Sequence, residues 1–561
     1  MSDTAPKKSS TPLGSPSLLA AADLTASAVP EWLDNKSDWL NPILIKEVRQ
    51  ALKSRQFLGM FCLVLIGSWL ISLFGILLFA NVADYGRTGS GFFSAYMFVL
   101  CLASLLFVPF GALRSLMTER DQFTFEVLSI STLKPQQVVI GKLLCSVTQL
   151  FIYFSAITPF VAFTYLLRGV DVLTLVMTLI TTFLTSIGLS MVCLTSSAMS
   201  QNKQWNTLST IGALIFLFWV GSGFYMGIIA SNLFGGAAFS TDEFWWTFGI
   251  SMVFYAAYFW LLLQISVAQL TFEADNRSTG IRIALTLIMV LAIGLLLGLA
   301  SLPTSIGVAI PTGQLQEVTL VFSYYALVHL AVLGLFICTE PDPLSKRIRK
   351  RLPRLTLVRL FSAMFLPGGA RGLIYILVHL AVVLLVYGWA EIVGGSRSSS
   401  DYLGTLFATS LYLIIYLNMG TWLARWGRHA TTEFKPAHAR VMTVLIAALF
   451  MIVPLVVSLL TQHNFDNKLL HLTNPAATLP EIASRGYMAQ TLLVLLTLAA
   501  VVMTLFNLRA MVTGLREVLT APVLPKGASS VTPPPVADLP RPSLEDFVTR
   551  VQEQKLAPGD S

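Results

Sequence analysis

Charge is scarce in this chain. Asp, Glu, Lys and Arg make up 12% of its 561 residues while hydrophobic residues make up 55%, and an ordinary soluble domain carries about twice that charge. The imbalance excludes a soluble globular protein. Catalytic signatures are absent as well: there is no GxxxxGK[ST] phosphate loop, no HExxH, no serine elbow and no cysteine pair at metal spacing. The chain therefore reads as a non-enzyme with no metal or cofactor of its own. Its five cysteines, Cys62, Cys101, Cys145, Cys193 and Cys338, all lie in apolar runs, as small buried hydrophobes do. Those runs also hold almost no ionisable groups away from their ends, Glu391 and Lys142 lying close to boundaries. Ion-coupled carriers need intramembrane carboxylates or an equivalent relay, so that class is disfavoured. His329, His379, Gln149, Gln264 and Asn418 lie inside runs and read as hydrogen-bonding links between helices. The net charge of +8 does not indicate nucleic acid, because Lys and Arg occupy the short links between runs rather than one face of a soluble fold.

What the chain has instead is a series of runs of roughly 20 apolar residues, each long enough to span a bilayer. They fall near 57–80, 93–113, 141–167, 172–196, 207–230, 246–270, 283–302, 318–338, 372–393, 403–423, 441–461 and 488–508. The expected fold is all-α and polytopic, with about twelve transmembrane helices. Of the 37 Lys and Arg residues, only Arg87, Arg168, Arg397, Lys468 and Arg485 fall on one set of loops. The positive-inside rule then places the other loops and both termini in the cytoplasm.

Four regions follow. Residues 1–38 read as a disordered cytoplasmic tail, Asp23 interrupting what superficially resembles a signal peptide. Residues 39–282 carry six spans, and 283–508 carry six more with a basic cytoplasmic loop at 339–371; no convincing residue repeat relates the two. Residues 509–561 read as a Pro-rich cytoplasmic tail, with a short amphipathic segment at 543–555. The basic loop either lies along lipid headgroups or serves only to set topology.

Before the first span, NPILIKEVRQALKSR has Asn41 as N-cap and Pro42 at the first helical position. Leu44, Ile45, Val48 and Leu52 line one side, and Lys46, Arg49 and Lys53 the other, with Glu47 among them. That pattern predicts an interfacial helix over 42–55 on an anionic leaflet, or a simple anchor for the first span. Between spans two and three, residues 114–142 are too polar for a bilayer core. Thr118 and Asp121 have the spacing of a capping box, and Phe123, Val127 and Ile130 recur at helical spacing with Glu119, Arg120 and Gln122 off that face. A surface helix is expected there, and Pro135 restarts the chain as the helix of span three. In span five, Gly221, Gly223 and Gly227 form a small-residue face with Trp219, Phe224 and Tyr225 between them, which suits close helix packing within the chain, at a subunit interface or along a pathway. The loop 462–487 gathers His463, Asp466 and His471 without a metal-ligand spacing.

The interfacial helix, the first two spans, TERDQFTFEVLSISTLKPQQVVIGKLL and the four spans after it resemble the permease subunits of type-two ABC exporters over residues 41–282. Glu119, Arg120, Thr124, Glu126, Leu128, Leu133, Gly141 and Lys142 match the family's pattern in the loop between spans two and three. The resemblance implies a bacterial inner-membrane permease that forms the translocation pathway. It also implies a separate ATPase subunit that binds ATP and magnesium, and a second copy or a related permease as partner. The ATPase would dock on Glu119, Arg120, Phe123, Thr124, Glu126, Val127 and Ile130, the family's coupling helix. Phe123 stands where Gly is usual and Thr132 where Pro is usual. These departures keep an alternative open, a non-transporting scaffold subunit of a membrane complex.

Overall fold

The computed structural model describes residues 42–79, 88–121, 134–167, 170–200, 203–233, 241–272, 275–301, 310–350, 352–394, 402–431, 433–460 and 469–520. No strand occurs among them, and twelve helices are long and apolar enough to cross a membrane. The chain is an all-α, multi-pass membrane protein.

The first half begins with the short helix α1 (Pro42–Leu52) and the first span α2 (Arg55–Phe79). The second span runs as α3 (Thr88–Cys101), a π-turn (Leu102–Phe107) and α4 (Val108–Asp121) without interruption. Spans three to six are α5 (Pro135–Leu166), α6 (Val172–Met199), α7 (Lys203–Leu233) and α8 (Asp242–Leu270). The second half consists of α9 (Thr279–Ser301), α10 (Thr312–Cys338), the short α11 (Lys346–Arg349) and α12 (Thr356–Ala363), α13 (Gly369–Gly394), α14 (Tyr402–Ala430), α15 (Pro436–Leu460), the short α16 (Pro475–Ala483) and α17 (Ala489–Leu519). Each half has its own apolar core, one around Tyr96, Leu100, Leu150 and Tyr153, the other around Leu330, Tyr375, Ile376 and Val383. They meet where α8 packs on α9 through Ala257, Leu261, Ala284 and Ile288.

Apolar burial drives little helix association in lipid, so polar stitches between helices specify the packing. The Ser186 hydroxyl of α6 donates to the carbonyl of Ser104 in the π-turn at 2.5 Å. Tyr258 of α8 meets the Tyr325 hydroxyl at 2.5 Å and His329 Nε2 at 3.1 Å. His379 has Nδ1 against the Tyr375 carbonyl and Nε2 3.0 Å from the Thr286 hydroxyl. A carbonyl only accepts, so Nδ1 carries the proton. Asn507 donates to Asn418 Oδ1 at 2.8 Å, joining α17 to α14. The expectation that such side chains link helices holds for each of these; Gln149, by contrast, bonds Cys145 of its own helix.

Several expected boundaries move. Thr118 does not cap a new helix: it lies inside α4 and its hydroxyl donates to the Arg114 carbonyl at 2.9 Å, so the second span continues through Asp121. Pro135 does begin α5, with the Lys134 amide donating to Gln137 Oε1 at 2.9 Å. That helix of 32 residues is about 48 Å long at the α-helical rise. Residues 509–519, assigned to the tail by their charge, belong to the last span, where Met511, Gly514 and Val518 are buried. Cys62 is exposed on α2, whereas the other four cysteines are buried. The segments 1–41 and 521–561 lie outside the described residues.

At the end of the bundle that carries α1, the second half is clasped by arginines. Arg282 is fully buried, and its guanidinium donates to Glu340 Oε2 at 2.9 Å and to the carbonyls of Met364 and Gly368. Arg371, 1% exposed, reaches Glu517 at 3.2 Å, the Gly514 and Asp342 carbonyls, and the Pro367 carbonyl. Gly368 sits at φ 134°, and a Cβ there would meet the Arg371 guanidinium at 2.5 Å, so the turn requires glycine. The basic loop is more than a topology signal: Arg347 pairs with Asp275, Arg349 with Glu517, and buried Arg359 caps the last carbonyls of α17. Beside it, α12 turns Leu357 and Phe361 outward, 80% and 67% exposed, the arrangement of a helix lying in a membrane interface.

At the opposite end, residues 469–486 fold back between the spans instead of forming an outer loop. Tyr412, ten residues inside α14, donates to the Leu472 carbonyl at 2.7 Å, and Tyr416 donates to the Thr473 carbonyl at 3.1 Å. The segment thus reaches about 15 Å along the bundle. It is received by a defect in α15. Pro454 has no N–H for the Phe450 carbonyl, and Thr473 Oγ1 donates to that carbonyl at 3.0 Å while Asn474 Nδ2 donates to the next, on Met451, at 3.2 Å. His471 is buried in this packing and joins no metal-type cluster among the described residues; His463 and Asp466 lie outside them. Thr473→Val should lower stability by about 1 kcal/mol, since the Phe450 carbonyl loses its donor in an apolar setting. Adding Pro454→Leu restores a backbone N–H and should recover most of that loss, measured as thermal midpoints of the two variants in detergent.

Candidate functional site

The loop that the sequence singles out is bracketed by described residues on both sides. Phe123, Thr124, Glu126, Val127 and Ile130 lie outside the described residues, and Arg120 is described only as backbone near the end of α4. Glu119 and Lys142, which flank the loop, are brought together with α1 into one ionic junction. Lys142 is buried about two turns inside α5. Its ammonium lies 3.0 Å from Glu47 of α1, 3.1 Å from Glu119 of α4 and 3.4 Å from the Ser115 carbonyl. An ammonium has three N–H donors, and three acceptors surround this one. Lys46 adds a contact to Glu119 at 3.5 Å from the exposed side.

The sequence explains why α1 sits there. Pro42 opens the helix, and Ile43 is buried beneath it, while Glu47 one turn later points inward to Lys142. Ile45 and Leu52 of the apolar stripe are exposed, at 39% and 37%, and of the polar residues Glu47 occupies the packed side. The outward apolar edge still suits a helix at a membrane interface, with Lys46 and Arg49 exposed beside it and Lys53 following its last turn. Its main partner is α5, not the first span, so α1 does more than anchor α2.

Around the junction lies a cavity of about 480 Å³. Gln50, Ser54, Gln56, Ser146 and Gln149 supply neutral polar groups, Phe57 and Tyr153 close its inner side, and Arg114 lines the rim. The arrangement is ionic: one ammonium ties α5 to α4 and to α1.

The span-five glycines are not brought together with anything. No group from another helix comes within 4 Å of a Cβ built at Gly223 or Gly227, and Gly221 meets only Leu105 at 3.9 Å. Trp219 and Met226 are exposed on the same helix, at 73% and 62%. Among the described residues, then, Gly223 and Gly227 pack against no other helix, while Gly221 lies on the side that meets the π-turn.

Sequence reasoning placed Lys142 at a span boundary without giving it a partner. The signal was a lysine inside an apolar run with an acid near the end of each neighbouring element. No protein-family model matches the chain, and neither a curated protein nor a solved structure is significantly similar to it.

Removing Lys142 strands two carboxylates in a site where their side chains are 12% and 13% exposed. Lys142→Met should cost roughly 3–5 kcal/mol, the range for breaking one partner of a buried pair. Glu47→Gln and Glu119→Gln added to that variant should recover much of the loss. Thermal midpoints in detergent, with protease accessibility of α1 as a second readout, test both.

Proposed function

We propose that this chain is the membrane permease subunit of a bacterial ABC exporter, with its α1 end in the cytosol of an inner-membrane protein. A separate ATPase subunit drives it through the loop between spans two and three. The observation that carries this reading is the Lys142 junction. The loop that matches the exporter pattern is flanked by the two residues that, together with Glu47, tie spans two and three to a helix on the membrane surface. Displacement of such a loop by a docked partner passes into α4, α5 and α1 at once.

In this reading the partner binds ATP and magnesium, and its closure presses on Phe123, Val127 and Ile130. The long helix α5 serves as the lever, being longer than the roughly 30 Å hydrocarbon layer it crosses. A second copy or a related permease would pack on α7 at Gly223 and Gly227. The substrate travels between the permeases, and this chain contributes shape and motion rather than bond chemistry.

Affinity purification of the tagged chain from its native membrane should bring down an ATP-binding-cassette ATPase that has no spans of its own. Phe123→Ala with Glu126→Lys should reduce that recovery and the stimulated ATPase rate by about tenfold or more, as loss of a central apolar anchor does, and leave membrane insertion unchanged. Full recovery of the ATPase with the variant, or external labelling of a cysteine placed at 123, would overturn the assignment. Recovery of a stable complex containing no ATPase would favour the scaffold.

A further inference from the structure

We propose that the α1-end junction of α10, α14 and α15 is a binding site for the phosphate of an anionic phospholipid. It lies in the second half, apart from the Lys142 junction, and does not depend on whether the chain transports. Arg425 and Arg428 occupy the last two turns of α14, and Arg440 the second turn of α15, joined by a short connection. Arg428 donates to the carbonyls of Thr339 and Glu340 at 3.3 and 3.5 Å. Arg440 Nε donates to the Thr339 hydroxyl at 3.0 Å, and its guanidinium lies 4.5 Å from the centre of the Phe336 ring. Arg425 donates to Asn507 Oδ1.

Every one of those acceptors is neutral. Among the described residues none of the three arginines has a carboxylate within ion-pair distance. Of the nearby acids, Glu340 pairs with Arg282 and accepts from the Gly368 amide, and Asp342 accepts from the Ala370 amide, so both act on the three arginines only from beyond ion-pair distance. All three arginines are half-buried, and a cation taken out of water without a carboxylate in contact is costly. The carbonyls at the end of α10 offset part of that cost, as C-terminal carbonyls do for arginine. Each guanidinium has five N–H donors, so most remain for an anion at the Thr339 turn, where Arg428 and Arg440 converge, with Arg425 one turn before Arg428.

The surroundings point to a lipid rather than a free ion. Trp422 and Trp426, 46% and 54% exposed, stack on each other with ring centres 6.3 Å apart on the same stretch of α14 as Arg425. Exposed tryptophans at such a height mark the bilayer interface. From Arg440, Val441, Val444, Leu445 and Leu449 continue outward-facing along α15 at 54–57% exposure. A ligand held by its phosphate at the arginines finds an apolar surface leading away from it. Basic pockets between membrane helices hold anionic headgroups in this way.

The test uses the full chain in neutral detergent, delipidated, with three additions: phosphatidylglycerol, phosphatidylcholine and inorganic phosphate. Phosphatidylglycerol should raise the thermal midpoint by several degrees and be retained as a bound lipid in native mass spectrometry, with phosphatidylcholine and phosphate doing neither. Arg428→Gln with Arg440→Gln should weaken the phosphatidylglycerol response about tenfold or more, two cations contributing at the interface. Equal responses to the two lipids would overturn the proposal, as would an equal response to inorganic phosphate or an unchanged response in the double variant. The selectivity of the unaltered chain decides the matter even if the double variant fails to fold.

Discussion

A carbonyl or a charge in an apolar slab has no water to turn to, and leaving it unsatisfied costs several kcal/mol. The departures from simple helix packing described above answer to that cost. The carbonyl inside the π-turn of the second span is met by Ser186, the two at the Pro454 defect by Thr473 and Asn474, and those at the end of α17 by Arg359. At these points polar side chains are placed where backbone geometry fails.

The two halves solve the same problem at the α1 end in different ways. In the first, a single lysine gathers acids from two elements, and one of those elements lies outside the span bundle. In the second, buried Arg282 and Arg371 bind mostly to backbone carbonyls, with Glu340 and Glu517 as their acids, and fix one loop conformation through a glycine at positive φ. The first is a joint between elements that remain separately connected; the second fastens a loop to the spans it connects. This contrast is why the proposed coupling is placed in the first half.

The spans were legible because run length and hydropathy act over some twenty residues and are insensitive to neighbours: all twelve expected runs are helical, and Pro135 starts α5 as its fixed φ predicts. What was not legible depends on contacts distant in sequence. Thr118 and Asp121 have the spacing of a capping box, but a preceding helix that simply continues removes the need for a cap. The α1 stripe was read as the apolar face of an interfacial helix, but that Glu47 turns inward to Lys142, 95 residues beyond it, was not legible. Residues 509–519 look like tail by charge, yet Glu517 is the partner that Arg371 and Arg349 require. The junction could be suspected from Glu47, Glu119 and Lys142, but only geometry joins them. The surface helix between spans two and three rests on sequence pattern alone.

Pro454 has a consequence for how the chain is built. The groups that satisfy the Phe450 and Met451 carbonyls come from residues 473 and 474, which leave the ribosome after the whole of α15. Span eleven on its own carries the Phe450 carbonyl into the hydrocarbon without a helical donor. It becomes a well-solvated element only when the returning segment has followed it, so the eleventh crossing and the wedge beyond it are acquired as one unit.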